Sequence, residues 1–194
     1  MEINSYIFFG KSGSGKGIQS GLLIKFLEEK KDRKTLYVQT GQIFREFGKE
    51  NNYTSQLTQG VLDNGGLLPA FMPIWAWTDF LIKNFNNQED LIFDGVCRKS
   101  KEAPVLDSAL GFYKIKNRYL IYINVSDKWT TEKLKARGRD DDTDKEIKHR
   151  LAWFQKDVIP SIEYFKNNPE YIFIEVNGEQ TVAEVQKEIL NKIF

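Results

Sequence analysis

Short apolar runs rich in β-branched and aromatic residues recur along the chain at 6–9, 36–38, 91–93, 119–125 and 171–176. They are continuously apolar rather than alternating, the pattern of strands buried on both faces, and so predict a parallel sheet covered by helices. Leu22, Leu23, Phe26 and Leu27 fall at helical spacing just after the first run. That gives a strand, a loop and a helix in order, a unit whose crossover should be right-handed. A chain of 194 residues fits one domain better than two. The pattern therefore predicts a single α/β domain over 1–194, with three layers, helix on sheet on helix, around about five parallel strands.

Two stretches depart from simple alternation. Residues 40–90 are far more than one crossover helix requires, and Gly, Asn and Gln gather near 60–66; a small helical insert over the sheet is expected there. The second is a short polar run of arginines and aspartates at 137–143. Ser126 can cap the helix leading into it. Thr143 and Glu146 form the pattern of a capping box for the helix leading out, whose apolar stripe is Ile147, Leu151, Phe154 and Val158. No internal repeat, low-complexity tract or linker is present.

Candidate chemistry begins where the first strand ends. Gly10, Lys11, Ser12, Gly13, Ser14, Gly15 and Lys16 follow the strand directly and open the first helix. This is the G-x-x-x-x-G-K arrangement of a phosphate-binding loop (P-loop), in its proper context. The glycines let successive backbone N–H groups converge on one anion at the positive end of the helix dipole. Lys16 can then reach the outer phosphates as a point charge. The fold is accordingly expected to be of the P-loop NTPase type, gripping a nucleoside triphosphate.

Composition narrows the partners. With 28 basic and 27 acidic residues the formal net charge is +1, which does not suit a nucleic-acid or membrane-surface binder, whereas a phosphate-handling enzyme needs only local clusters of cations. Cys97 is the single cysteine, so no internal disulfide can form and a reducing compartment is expected. No basic segment followed by an apolar one opens the chain, and no apolar run approaches the roughly 20 residues of a membrane helix. A soluble, cytoplasmic protein is expected.

Gly17 stands after Lys16, where such loops usually carry Ser or Thr. Gly-Ser-Gly-Lys-Gly resembles the loop of the adenylate kinases and their nucleoside monophosphate kinase relatives, and the chain resembles that family in order over nearly its whole length. Thr40-Gly41 followed by Arg45 resembles T-G-D-x-x-R. Gly60-Val61-Leu62 through Gly66-Leu67-Leu68-Pro69 resembles the end of the family's monophosphate-binding insert, here about 40–73. Asp94-Gly95-Val96-Cys97-Arg98 resembles D-G-[FY]-P-R. Arg137, Arg139 and the pair Asp141-Asp142 resemble the lid, here about 137–143 and of the shortest kind, without room for a zinc-binding subdomain. Arg150 lies where the family has another catalytic arginine, and Val176-Asn177-Gly178 resembles the loop that touches the donor base.

The resemblance implies a Mg²⁺-dependent, reversible transfer of the ATP γ-phosphoryl group to AMP, giving two ADP, by a monomeric enzyme whose partners are small nucleotides. It assigns catalysis to Lys16, Asp94, Arg98, Arg137, Arg139 and Arg150, with Asp94 in the outer shell of Mg²⁺. ATP contacts fall on Gly10, Ser12, Gly13, Ser14, Gly15, Lys16, Gly17, Ile18, Lys133 and Gly178. Monophosphate contacts fall on Thr40, Gly41, Arg45, Leu67, Gly95, Arg98 and Glu102. These residue types suit phosphoryl transfer, which requires two anions held in line and the charge on the moving group offset. Guanidinium is always charged and forks onto phosphate oxygens.

Blander readings exist for several of these residues. Arg137 and Arg139 could form a solvated cluster with Asp140, Asp141 and Asp142. His149 reads as a surface residue, Cys97 as packing, and Trp75 and Trp77 as core or insert packing. The family pattern also breaks in places. Ile18 stands for a Thr, Gln42 for an Asp, Val96-Cys97 for an aromatic-proline pair, and Lys133 for the arginine that stacks on the donor adenine. Glu102 occupies the position of a Gln that reads the AMP base. A carboxylate can accept from the adenine amino group but cannot donate to N1; it matches the N–H donors of guanine or of a uracil-like base better. Thr40 favours AMP. A kinase for GMP or for UMP/CMP, and a nucleotide-binding homologue of weak activity, are the alternative readings. A small-metabolite kinase sharing the P-loop would not account for Arg45 or for the Asp94 to Arg98 segment.

Overall fold

The computed structural model describes residues 2–139 and 142–194. Its centre is β1 (Asn4–Gly10), which is buried along nearly its whole length. The strand alternates between two apolar clusters. Tyr6 and Phe8 point to one face, where they meet Leu23 and Leu27 of α1 (Lys16–Lys31) and Val185 and Ile189 of α9 (Val182–Ile193). Ile7 and Phe9 point to the other, toward Trp77 and Leu81 of α4 (Phe71–Asn84), Leu106 and Leu110 of α5 (Ala103–Phe112), and Ile162 and Phe165 of α8 (Ile159–Lys166). Each such buried side chain contributes roughly 1.5–3 kcal/mol. Four in succession anchor the strand that delivers the glycine-rich loop.

The other strands are β2 (Lys34–Gln39), β3 (Glu89–Asp94), β4 (Asn117–Asn124) and β5 (Tyr171–Asn177). All pair in parallel, in the order β2-β3-β1-β4-β5. The expected three-layer α/β/α architecture and its five-stranded parallel sheet are therefore observed, and every expected strand is present, four with slightly wider limits and the fourth in order starting earlier and ending at Asn124 rather than Val125. In β1–β3 register Phe8 lies opposite Asp94. The P-loop and the Asp94 segment thus emerge side by side at the carboxyl edge of the sheet, where ligands of such sheets bind.

The stretch between β2 and β3 is helical, as expected. It holds α2 (Thr40–Phe47), α3 (Tyr53–Asp63) and α4. Phe44, Leu68, Met72 and Ala76 form a small apolar cluster of their own. α4 joins this cluster to the main core, since Met72 and Ala76 belong to the first and Trp77 and Leu81 to the second. Trp77 is fully buried, whereas Trp75 is partly exposed against the edge of Phe47.

Beyond β4, Ser126 accepts from the Trp129 amide and caps α6 (Asp127–Arg137), as expected. α7 (Asp144–Trp153) follows and continues through a π turn, Phe154–Val158, into α8. One local expectation needs correction. Thr143 caps α7 by accepting from the Glu146 amide at 3.4 Å, but the return arm of the capping box is missing, and Glu146 Oε2 is buried without a partner. The Glu146 stem is turned instead toward Gly65, where an added Cβ would meet it at 3.1 Å. The helical spacing of Leu22, Leu23, Phe26 and Leu27 holds, all four lying on α1, where Leu23 and Leu27 are fully buried and Phe26 packs on Phe194, ring centroids 5.4 Å apart.

Candidate active site

The loop after β1 is built to hold an anion with its backbone. Gly10 has φ 151°, and a Cβ there would lie 2.6 Å from both the Ile123 carbonyl and Ser14 Oγ, so a side chain cannot be accommodated. Gly15 caps α1 in the left-handed region with no side-chain cap, which leaves the helix N–H groups to a ligand. Lys11 braces the loop from outside, its Nζ donating to Val125 O at 2.8 Å and pairing with Asp127 at 2.5 Å. Lys16 folds back over the loop and donates to Gly10 O at 2.7 Å and Lys11 O at 2.9 Å. Desolvation, with Arg98 and Arg137 adding to it and Asp94 opposing it, lowers the Lys16 ammonium to about 8. An incoming phosphate would reverse that shift.

Opposite the loop, Asp94 is buried at the end of β3. Its Oδ2 accepts from Tyr37 Oη at 3.1 Å and from Gln39 Nε2 at 3.4 Å, and an added Cβ on Gly17 would lie 3.4 Å from it. Asp94 thus faces the first turn of α1. Among the described residues no group of three or more His, Cys, Asp or Glu is placed to hold a metal ion. A divalent ion at this edge would have to arrive on nucleotide phosphates, with Asp94 holding its water shell, and one buried, hydrogen-bonded carboxylate beside the P-loop fits that outer-shell part.

A cavity of about 810 Å³ opens between the sheet edge, the insert and α7. Arg45, Arg98, Arg137, Arg139 and Arg150 all line it, together with Ser12 of the P-loop. Five arginines spread over more than half of the sequence converge on one space. Its apolar wall includes Phe44, Leu62, Leu67 and Leu68, a surface suited to the flat face of a base. Thr40, Gly41, Gly95 and Glu102 line it as well.

Arg45, Arg137 and Arg150 each have a side-chain partner. Gln42 accepts from Arg45 at 2.9 and 3.2 Å, so the residue that departs from the family's aspartate still holds that arginine. Asp142 takes Arg137 in a two-point grip, at 2.6 and 2.8 Å, accepts from Arg150 at 3.2 Å, and receives the Arg139 amide at 3.3 Å. Burial opposes ionisation of Asp142, yet the Arg137 bonds and charge, the Arg139 amide and Arg150 together hold its carboxyl below the usual range. Arg137 and Arg139 are exposed, as the solvated-cluster alternative has them, but Asp142 beneath them is buried. Of the aspartate pair read from the sequence, Asp141 lies outside the described residues, as does Asp140.

The Asp94 to Arg98 segment is tightly packed. Gly95 has φ 77°, and a Cβ on it would stand 2.8 Å from Arg98 Nη2. Thr40 Oγ1 donates to Gly95 O at 2.6 Å, tying the start of the insert to this loop. Glu102 is buried, and its two oxygens accept from the Cys97 amide at 3.0 Å and the Lys99 amide at 2.9 Å. Desolvation pushes its carboxyl up to about 7, against the lowering by those amides and by Arg98 and Lys99. Cys97 is fully buried and its thiol is pushed well up by burial, in keeping with packing rather than nucleophilic use.

The remaining assigned residues lie away from the cavity. Ile18 is 55% exposed on α1. Lys133 lies 4.5 Å from the Trp129 ring centroid on α6, beside Gly13 of the P-loop. The Gly178 amide donates to Asn124 O at 2.8 Å, which closes the β5 loop onto the end of β4. Sequence reasoning missed Tyr37 and Gln39, which hold Asp94, and Trp153, which lines the cavity and donates from Nε1 to Gly65 O at 3.0 Å. Trp153 sits one turn after Arg150, and that spacing was the available signal. His149 is a surface residue as expected, but it has a partner in Asn64 O at 3.2 Å. No helix among the described residues is long and apolar enough to cross a membrane.

Comparison with known proteins agrees with this geometry. A sequence model of the adenylate kinase family matches residues 8–170. Adenylate kinase of Oenococcus oeni is 28% identical over 183 residues, covering 91% of this chain and 92% of its own. That of Flavobacterium psychrophilum is 29% identical over 195 residues, covering 96% and 98%. Adenylate kinase 1 of a Nostoc species is 28% identical over 183 residues, covering 94% and 95%.

Proposed function

Because the chain belongs to the adenylate kinase family and is a nucleoside monophosphate kinase, we propose that it transfers the γ-phosphoryl group of ATP reversibly to AMP, giving two ADP. The observation that carries this reading is the convergence of Arg45, Arg98, Arg137, Arg139 and Arg150 on one cavity beside the P-loop. A protein that only bound nucleotide would not need guanidinium groups on both sides of the transferring phosphoryl.

In this reading Gly10, Ser12, Gly13, Ser14, Gly15 and Lys16 hold the donor phosphates, while Gly17 and Ile18 open the helix beneath them. Lys133 and Gly178 border the donor base. Arg45 and Arg98 fork onto the acceptor phosphate, and Thr40, Gly41, Leu67, Gly95 and Glu102 surround the acceptor nucleoside. Arg137, Arg139 and Arg150 close over the group in transit, offsetting its charge and excluding water that would hydrolyse ATP. Magnesium, when bound, would neutralise charge on the donor oxygens, with Asp94 holding its water shell. The insert of about 40–73 and the short lid of about 137–143 are the parts that close. A cytoplasmic monomer completes the reading, in keeping with a single, buried cysteine.

AMP is favoured over other acceptors because Glu102, the residue that argued for guanine, has both oxygens engaged by backbone amides. The test is direct. Purified protein with ATP, AMP and Mg²⁺ should form ADP, and ADP alone should return ATP and AMP. Tight nucleotide binding with no transfer to AMP, GMP, CMP or UMP would establish a binding protein instead.

A further inference from the structure

The turn that carries Arg98 is held in an unusual way. Cys97 has φ 52°, in the left-handed region that residues other than glycine disfavour. Such a conformation persists only when its surroundings enforce it. The enforcing group is one carboxylate. Glu102 Oε2 accepts the Cys97 amide at 3.0 Å and Oε1 the Lys99 amide at 2.9 Å, so the residues on either side of Arg98 are fixed by the same side chain. Glu102 is 1% exposed, and the Lys99 bond also caps the short 3₁₀ turn Ser100–Glu102. Arg98 itself is left to project into the cavity, its guanidinium 6.0 Å from the Trp153 ring centroid.

We propose that Glu102 is a positioning residue, stapling the turn from Cys97 to Lys99 so that Arg98 is aimed at the acceptor phosphate, and that it does not read the acceptor base. The inference rests on the phosphotransferase reading above. Its chemical logic is that only a carboxylate offers two acceptor oxygens to two amides. A Gln side chain would offer one oxygen and set its NH₂ group against the second N–H. The pairing also suits Cys97, because a proline there would have no N–H to give.

Glu102→Gln separates the two roles. Loss of one amide bond to the carboxylate should raise the KM of every monophosphate acceptor by about tenfold, with the order of AMP, GMP, CMP and UMP unchanged and the KM of ATP within about twofold of its starting value. A base reader would behave otherwise: the substitution would reorder the acceptors, raising AMP relative to GMP, and that result would overturn the proposal. A second measurement needs no variant. In the unaltered protein the Cys97 and Lys99 amides should exchange slowly with solvent deuterium, and saturating AMP should not speed them. Faster exchange at both amides on AMP binding would mean that Glu102 has turned to the base, and would sink the idea. Failure of the unaltered protein to transfer phosphate to any acceptor would count against the enzyme reading, while the amide exchange would still decide for or against the staple.

Discussion

In the proposed reading, the donor and acceptor sides of the site are made of different material. The donor side is backbone: a loop of glycines, the open N-terminus of α1, and one lysine folded over it. The acceptor and lid side is side chains, delivered by α2, the loop after β3, the end of α6, the lid and α7; Arg45, Arg137 and Arg150 are held by other side chains, and the turn that carries Arg98 by Glu102. A backbone cradle tolerates change at neighbouring side chains, so Gly17 and Ile18 can replace hydroxyl residues without altering the amides that face the phosphate. A side-chain site must be rebuilt when a member changes. Gln42 still grips Arg45 where the family has an aspartate, and Glu102 supports a turn that lacks the family's proline.

The sharpest way to break this comparison is at the one lysine of the donor side. Lys16→Met should leave the fold intact and lower kcat by roughly 10³-fold, the upper range for removing one preorganised donor to developing charge. A loss below tenfold, measured in a coupled ADP assay, would mean that the backbone alone carries the donor side.

A smaller effect reads the same lysine through its protons. Its ammonium titrates at about 8 in the free enzyme against an ordinary 10.5. A base whose folded value is lowered holds fewer protons than the unfolded chain between those limits, so the free protein should gain stability from this group as pH rises from about 8 to about 10.5. Binding of ATP restores the charged form, so at pH 9 complex formation should take up a large fraction of one proton. Calorimetry in two buffers of different ionisation enthalpy measures it, and no uptake would show that phosphate does not contact Lys16.

The smallest expected effect lies at the donor base. Lys133→Arg supplies a planar cation beside the P-loop and should lower the ATP KM by about threefold, leaving the acceptor KM unchanged. An equal change on both sides would blur the division between them.

The two sides also differ in how far the sequence disclosed them. The strands were legible because each is a largely apolar run rich in β-branched and aromatic residues, broken only by Asn124 and Glu175, and the P-loop because its glycines are required by close backbone approach, as at Gly10. The arginines could be named only through their order along the chain, since nothing local brings Arg45 and Arg150 together. Their partners were less visible still. Tyr37 reaches Asp94 across 57 positions and Trp153 reaches Gly65 across 88, and no periodicity encodes such contacts. Glu102 stands where the family pattern implies a base contact; its two amide bonds accompany the left-handed turn at Cys97, which no residue type announces.

The central claim is that this site takes AMP as acceptor, with Glu102 held in the loop rather than facing the base. Acceptor preference by kcat/KM across AMP, GMP, CMP and UMP, at fixed ATP and Mg²⁺, tests it most directly. The account predicts AMP first by at least tenfold. A lead for GMP or UMP would contradict it and return Glu102 to the base.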